Sequence, residues 1–290
     1  MNLCRSLFVF SVSVMFGFPA VMAAPAGGKI AFKGVHEIGR IASTRITESS
    51  GIVVSRQFPG VLWTHNDGGG ARKQVLYAID RTGKPIGEFI LADVLLHDWE
   101  DIAIDDANHL FIGDLGNNEL KRTELAVHQL DEPDPKQAVN FVQIKRSWRL
   151  RYPGKPFDCE SLFVWKGYGY VISKVLDDAR AQIFRFPLID TKEPLTLELV
   201  ATTKIESPVT GADISPDGRL LALVAKSGAF VYRMDGDVTK VIQGKPHQTR
   251  FRHEHIEACC FVDDGLLATA ESREIYLFTD PEFHWKQPAP

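Results

Sequence analysis

One short motif recurs five times along the chain, each time where a polar residue opens a stretch of apolar residues. The five copies are ESSGIVVS from Glu48, EDIAID from Glu100, ESLFVW from Glu160, TGADISPDG from Thr210 and EACCFVDDG from Glu257. They recur about every 50 residues, a period typical of folds that stack or circle one small structural unit. This repeat constrains the fold more strongly than any single segment does.

Each motif is followed by further short segments that are rich in β-branched and aromatic residues. In the second unit these segments are LFIGDLGNN, ELAVHQL and NFVQIKRSWRL, and turn formers such as Pro216-Asp217-Gly218 separate such segments elsewhere. Five units of four strands predict an all-β, five-bladed β-propeller with four-stranded antiparallel blades. A stacked sandwich is the alternative, but it leaves the repeated polar residue at each first strand unexplained.

The last unit lacks a fourth strand, because few residues follow its segment EIYLF. The segment KIAFKGVHEIG, residues 29 to 39, has no repeat partner of its own near the start of the chain. We therefore predict that this N-terminal strand completes the last blade and closes the ring.

Residues 1–23 have the layout of a signal peptide, with Arg5, an apolar run from Leu7 to Phe16 and a small-residue end at Ala23. A membrane anchor is the alternative, but this run is shorter than the roughly 20 residues that a spanning helix needs. We expect a periplasmic or secreted monomer with one propeller domain over residues 24–290 and no membrane span. The net charge of −4 does not favour nucleic acid as a partner.

Three cysteines follow the predicted leader, Cys159, Cys259 and Cys260. An odd number of cysteines does not suit a disulfide framework in an exported protein. We predict that all three are buried as small apolar side chains.

The first strand of each propeller blade lines the central channel, so equivalent residues of the five blades approach one axis. The residues predicted to meet there are Glu48, Glu100, Glu160, Thr210 and Glu257. Carboxylates this close together must take up protons or share a cation. Calcium suits carboxylate and hydroxyl oxygens, so we predict a calcium site on the axis. The alternative is that these glutamates lie in water or accept backbone N–H bonds.

A second set of residues stands at the end of each second strand. The separation from the motif is the same in three blades: Glu100 to Asp114, Glu160 to Lys174 and Glu257 to Glu271. A constant separation predicts one hairpin length and therefore one rim above the channel. Asp114 and Glu271 are the candidate catalytic bases. The candidate ligand-binding residues are Asn66, Asp67, Asn117, Lys174, Lys226 and Arg273.

A rim of mixed charge over a cation suits a small anionic or polyhydroxylated ligand, for which Lys174 and Lys226 act as point charges. The first hypothesis is an exported calcium-binding protein that holds such a small-molecule ligand without turnover. The second is a calcium-dependent hydrolase of phosphoesters or lactones, and the third is a protein-interaction platform. The structural alternative is a lattice of ion pairs between the blades.

The strand starts ESSGI, DWEDIA, DCESLF and HIEACCFVDDG resemble those of the SdiA-regulated family of bacterial periplasmic β-propeller proteins, which begin with comparable E-x-[GS]-[LIV] motifs. The layout is more distantly similar to the soluble calcium-activated nucleotidases, or apyrases, which are five-bladed and hold calcium in the channel. This second resemblance implies a substrate-facing role for Lys174 and Lys226. It implies channel ligands at Glu48, Glu100, Glu160, Thr210 and Glu257.

Overall fold

The computed structural model describes residues 28–70, 74–138, 140–174 and 180–286. Within these ranges the chain forms twenty-three β-strands and two short 3₁₀ helices, Val238–Ile242 and Pro281–Phe283. No helix in the described part of the chain is long and apolar enough to cross a membrane. The predicted leader over residues 1–23 lies outside the described residues.

The strands, numbered in chain order, form five sheets that are the blades of a β-propeller, here called blades I to V. Blade I contains β3 Ser49–Val54, β4 Leu62–Asn66, β5 Val75–Ile79, β6 Pro85–Ala92 and β10 Phe141–Gln143. Blade II contains β7 Trp99–Ile104, β8 His109–Asp114, β9 Glu124–Asp131, β11 Arg146–Arg151 and β15 Leu195–Thr196. Blade III contains β12 Cys159–Trp165, β13 Tyr168–Ser173, β14 Gln182–Pro187 and β16 Glu198–Thr202.

Blade IV contains β17 Val209–Ile214, β18 Leu220–Ala225, β19 Gly228–Arg233 and β20 His247–Arg250. Blade V contains β21 Ile256–Val262, β22 Gly265–Ala270, β23 Glu274–Phe278, β2 Val35–Arg40 and β1 Lys29–Phe32. The innermost strands contact one another in a closed ring, in the order β3, β7, β12, β17, β21 and back to β3.

Every blade has four antiparallel strands, which confirms the predicted architecture. Three blades carry a fifth strand at the outer edge. Strand β10 pairs parallel with β6, and β15 pairs parallel with β11. Both of these strands come from chain segments that belong to the following blade. They therefore connect neighbouring blades at the outer edge of the propeller.

The N-terminal strand closes the ring, as the sequence predicts. Strand β2 pairs antiparallel with β23, with Val35 opposite Phe278 and Glu37 opposite Tyr276. Strand β1 folds back on β2 as an exposed fifth strand. The two ends of the described chain thus share one sheet, so the ring cannot open without breaking the pairing of β2 with β23.

The core consists of five apolar layers, one in each gap between neighbouring blades. Between blades I and II, Trp63 packs in one layer with Ile102 and Ile112. Ile52 and Cys260 belong to the layer between blades I and V. Because both faces of a blade are covered, its strands are apolar almost throughout instead of alternating strictly. This radial packing excludes the stacked sandwich.

The three cysteines are free and buried, as predicted. Each one belongs to an apolar layer between blades. Burial raises the pKa of all three thiols: Cys159, Cys259 and Cys260. A thiol that stays protonated is a poor nucleophile, so these side chains contribute to packing.

Two aspartates on the innermost strands join neighbouring blades. Asp101 accepts the N–H of Ile102 in its own strand at 2.8 Å and the N–H of Leu162 in blade III at 2.7 Å. Asp213 accepts the N–H of Phe261 in blade V at 2.7 Å in the same manner. These bonds hold adjacent inner strands together along the channel.

The burial of Phe278 in the closing blade predicts how much stability the protein loses when this ring is removed. Phe278 in β23 is fully buried between blades IV and V, so Phe278→Ala is expected to lower the free energy of unfolding by about 3–5 kcal/mol in urea denaturation. Phe32→Ala removes the same ring from the exposed strand β1 and should change it by less than about 0.5 kcal/mol. Equal losses in the two variants would contradict the burial of Phe278 in this layer.

Candidate functional site

One backbone hydrogen bond recurs in every blade and identifies equivalent residues. The residue after the second strand donates its N–H to the carbonyl of the residue before the innermost strand. The five pairs are Asp67 to Glu48, Leu115 to Asp98, Lys174 to Asp158, Lys226 to Pro208 and Glu271 to His255, with N–O distances from 2.8 to 3.2 Å. All ten residues therefore lie on one face of the propeller, which we call the mouth face.

A β-bulge follows this hydrogen bond at the start of each innermost strand. The extra residue at the bulge is Ser50, Glu100, Glu160, Thr210 or Glu257 in blades I to V. A bulge re-aims one side chain out of the regular alternation of a strand. The bulges thus explain why polar side chains open strands that are otherwise buried.

A polar cavity of about 130 Å³ at the mouth of the channel collects side chains from all five blades. Its lining residues are Ser50, Asp67, Glu100, Asn118, Glu160, Lys174, Lys226, Glu257 and Glu271. Seven of these nine were predicted site residues. Five carboxylates against two lysines leave the cavity with an excess of negative charge.

The alignment of Glu48 with the other glutamates is wrong by two residues. The repeated backbone bond makes Glu48 equivalent to Asp98, and the bulge in blade I is at Ser50. Glu48 is not among the described residues that line the cavity. The error arose because the motif in blade I carries its acidic residue one position before the strand and not at the bulge.

The predicted rim position of Asp114 is also wrong. Asp114 is the last residue of β8 and pairs with Trp99, so its neighbour Leu115 is the equivalent of Lys174. The hairpin of blade II is one residue longer than those of blades III and V, so the separation of Glu100 and Asp114 matches only by coincidence, whereas Lys174 and Glu271 are equivalent. Asp114 instead accepts the N–H of Asp98 at 2.8 Å.

An ion pair fixes Asp114 in this supporting position. Its Oδ1 lies 3.0 Å from Nη1 of Arg122, and both side chains are largely buried. The same guanidinium donates to the carbonyl of Gly116 at 2.8 Å. Asp114 and Arg122 therefore hold the loops that carry Asp98 and Gly116, and neither side chain lines the cavity.

Thr210 and Asn66 bond to backbone and do not line the cavity. Thr210 donates its hydroxyl to the carbonyl of Ile256 in the next blade at 2.8 Å. Asn66 accepts the N–H groups of Thr47 and Glu48 at 2.8 and 3.1 Å. Both side chains stabilise the chain at the start of an innermost strand.

Asn117 and Arg273 also lie outside the cavity lining. The side-chain oxygen of Asn117 accepts the N–H of Arg122 at 2.9 Å, and the backbone N–H of Asn117 donates to the carboxylate of Asp158 at 2.8 Å. Arg273 occupies a turn with φ of 77°, and its carbonyl accepts the N–H of Ile41 at 2.8 Å. These contacts support the mouth face from its periphery.

Lys174 acts as an internal cation within the cavity. Its ammonium group bonds to Oε1 of Glu160 and lies 4.0 Å from Oδ2 of Asp158. Oε2 of Glu160 and Oδ2 of Asp158 are buried and have no hydrogen-bond partner among the described residues. One ammonium group therefore compensates only part of the negative charge that blade III brings to the mouth.

Three carboxylates from blades I and II converge beside this lysine. Asp67, Asp98 and Glu100 each place one oxygen within 4.8 Å of the others. A Cβ atom at Gly116 would lie 2.2 Å from an oxygen of Asp98 and 2.2 Å from one of Glu100. Glycine at this position leaves the space in which both carboxylates lie.

Burial disfavours the charged forms of two cavity glutamates. Burial and then the charge of Asp67 raise the pKa of Glu100 well above its ordinary value, and Lys174 opposes this rise. Burial and then the charge of Glu271 raise the pKa of Glu257 to about 8. Without a further cation, both glutamates therefore favour protonated forms at neutral pH.

The sequence reasoning missed Asp98 and Asp158, although their signal was present. Each stands two residues before a bulge glutamate, in Asp98-Trp99-Glu100 and Asp158-Cys159-Glu160. Where both of these positions are acidic, one innermost strand brings two carboxylates to the mouth face. Aligning the motifs on this pair would also have matched Glu48 with Asp98.

No known family profile matches the sequence, and neither does any curated protein sequence. A gluconolactonase from Xanthomonas campestris is 13% identical, with a TM-score of 0.45 over 79% of this chain and 71% of its own. A chain of a nidogen/laminin complex is 12% identical, with a TM-score of 0.45 over 77% of this chain and 72% of its own.

A chain of a mitotic checkpoint complex is 13% identical, with a TM-score of 0.40 over 79% of this chain and 61% of its own. Similarities this low carry no argument about what the present chain binds or does. The resemblance to the SdiA-regulated family and to the apyrases stays a prediction.

The raised pKa of Glu257 predicts how stability depends on pH in the presence of chelator. The folded protein binds a proton at Glu257 up to about pH 8, while the unfolded chain releases it near 4.5. The stability that Glu257 contributes is therefore complete below its pKa in the unfolded chain. It is lost as the pH rises through its pKa in the folded protein. Glu257→Gln should flatten the fall in melting temperature between pH 5 and 8.

The control for this experiment is Glu119→Gln, which changes an exposed carboxylate that pairs with Lys121. It should reproduce the pH dependence of the wild type. If Glu257→Gln shows the same slope as Glu119→Gln, Glu257 is not the group that titrates.

Proposed function

We propose that the protein is an exported, calcium-binding propeller that binds a small anionic or polar ligand over the mouth of its channel. The observation that carries this proposal is the convergence of Asp67, Asp98 and Glu100, with one oxygen of each within 4.8 Å of the others. Export rests on the leader predicted over residues 1–23.

The donor set suits calcium. Calcium accepts about six to eight hard oxygen ligands in flexible geometry, including carboxylates and water. Thiols and imidazoles, which favour zinc and copper, are absent from the described lining of the cavity. The unpartnered buried oxygens of Glu160 and Asp158 show that the mouth contains more acceptor capacity than the described residues satisfy. A cation at the three carboxylates would offset part of this charge.

The size of the cavity bears on how a ligand would bind. A volume of about 130 Å³ is comparable to a few water molecules, each of which takes about 30 Å³ in the liquid. Such a space admits an ion with its water, or one polar group of a ligand. Most of a ligand would therefore lie above the mouth, where Lys226 presents positive charge to it, since Lys174 is already bonded to Glu160.

A calcium titration tests the proposal. Calcium at about 100 times its dissociation constant should stabilise the wild type by about 2.7 kcal/mol relative to chelator, because it binds only the folded state. Asp98→Asn removes one charged ligand and is expected to weaken calcium binding in calorimetry by on the order of 10-fold or more. The control Asp190→Asn changes an exposed carboxylate in the loop after β14 of blade III, and this variant should bind calcium as the wild type does.

Melting temperatures that are equal in calcium and chelator, together with no heat of binding, would remove the calcium site. Equal calcium affinity in Asp98→Asn and Asp190→Asn would place any bound ion elsewhere.

A calcium-dependent hydrolase of phosphoesters or lactones is the second candidate function. It is favoured by the carboxylate pair of Glu257 and Glu271, which lines the same cavity as Lys174 and Lys226. Oε2 of Glu271 also lies 2.8 Å from Nδ1 of His255, which connects it to the protein surface. A carboxylate in this setting can accept a proton from an attacking water molecule. The high pKa of Glu257 would let it serve as the matching acid.

Assays of the purified protein with a phosphodiester, nucleoside triphosphates and a lactone panel test this candidate. Turnover should disappear in chelator and fall by about 100-fold or more in Glu271→Gln, since a general base contributes at least that factor. Asp190→Asn should retain full turnover. The absence of turnover with every substrate in calcium would reject the hydrolase and leave ligand binding.

A further inference from the structure

A groove beside the mouth has no role in the site described so far. It has a volume of about 520 Å³, roughly four times that of the mouth cavity. Its lining residues are Glu206, Ser207, Pro208, Lys226, Ser227, Gln248, Arg250, Arg252 and Glu254. Lys226 lines both the groove and the mouth cavity, so the two spaces meet at this side chain.

The position of the groove follows from the ends of the strands in blade IV. Pro208 precedes β17, Lys226 follows β18, and Arg250 ends β20, so all three lie on the mouth face. Arg250 pairs with Gly228, which has no side chain to cover its partner across the strands. The guanidinium of Arg250 is therefore accessible from the groove.

The groove has a small excess of positive charge, whereas the mouth has an excess of negative charge. Arg252 is neutralised by Glu254, whose Oε1 lies 3.1 Å from its Nε. Among the described residues, Lys226 and Arg250 have no ion-pair partner within 4.0 Å. Ser207, Ser227 and Gln248 add neutral hydrogen-bonding groups. Glu206 is the one further carboxylate among the described lining residues, so a net positive charge remains. The groove therefore offers two cationic donors and several neutral ones, which is the chemistry that phosphate groups require.

We infer that this groove binds a phosphate group of the same ligand whose polar end occupies the mouth, with Arg250 as the main phosphate-binding residue. The inference rests on the proposed function and specifies its ligand class. The acidic, cation-binding mouth suits hydroxyl groups, while the adjoining basic groove suits a phosphate monoester. A phosphorylated polyol or sugar satisfies both surfaces at once, and Lys226 lies at their junction. Guanidinium groups bind phosphate oxygens in a bidentate manner, which lysine cannot do.

Calorimetry with calcium-loaded protein tests the inference, with ribose 5-phosphate, ribose and inorganic phosphate as probes. Ribose 5-phosphate should bind more tightly than either fragment, because it occupies both spaces. Arg250→Gln should weaken binding of ribose 5-phosphate by on the order of 10-fold, since a charge-assisted bond to phosphate is lost. It should leave the binding of ribose and calcium unchanged. The matched control Arg233→Gln, at the opposite end of β19, should behave as wild type.

The outcomes separate this inference from the proposed function. Ribose 5-phosphate that binds wild type and Arg250→Gln equally, or that binds no better than ribose, would overturn the role of the groove. Phosphate binding that depends on Arg250 but is unaffected by chelator would uphold the groove and reject the calcium-dependent mouth. Melting curves of Arg250→Gln check that this exposed substitution leaves the fold intact.

Discussion

The pairing of β2 with β23 is the constraint on which the rest of the structure depends. A propeller blade buries both of its faces against neighbours, so in an open ring each of the two end blades would leave one apolar face uncovered. Closure brings Ile46 and Ile52 of blade I against Ala258 and Cys260 of blade V and creates the fifth apolar layer. Only a closed ring also brings five inner strands around one axis, which is the condition for the mouth cavity to exist.

Around that axis, two backbone features convert a repeated strand into a polar site. The hydrogen bond from the second strand to the residue before the first fixes one height for all blades, and the bulge turns a side chain toward the mouth in every blade except blade IV. The resulting concentration of carboxylates is unfavourable by itself. Lys174 compensates part of it, and Arg122 holds Asp114 so that the loop of Asp98 stays in place. The negative charge that remains is the basis of the proposed cation site, while the basic side chains of Lys226 and Arg250 in blade IV lie beside the mouth.

The sequence predicted the blades far better than it predicted the site. Strand lengths, turn residues and the motif period were sufficient for five antiparallel blades and for closure by residues 29 to 39, because these depend on local propensity and on pattern. Glu100, Glu160 and Glu257 were also placed correctly together. Glu48 and Asp114 were misplaced, since each depends on register: a shift of one or two residues decides whether a side chain lies at the bulge, before the strand or beneath a loop.

What the sequence alone determined is the repeat: short apolar strands, each preceded by polar or acidic residues, which can bury their faces only by packing radially. What only the tertiary structure decided is which of these polar residues meet. Hairpin length and bulge position differ between blades by single residues, and such differences leave the hydrophobic pattern unchanged. A difference of one residue nevertheless decides whether a carboxylate lines the cavity or lies beneath a loop that supports it. The reason is that neighbouring strand positions point to opposite sides of the sheet. The convergence of Asp67, Asp98 and Glu100 therefore became visible only in three dimensions.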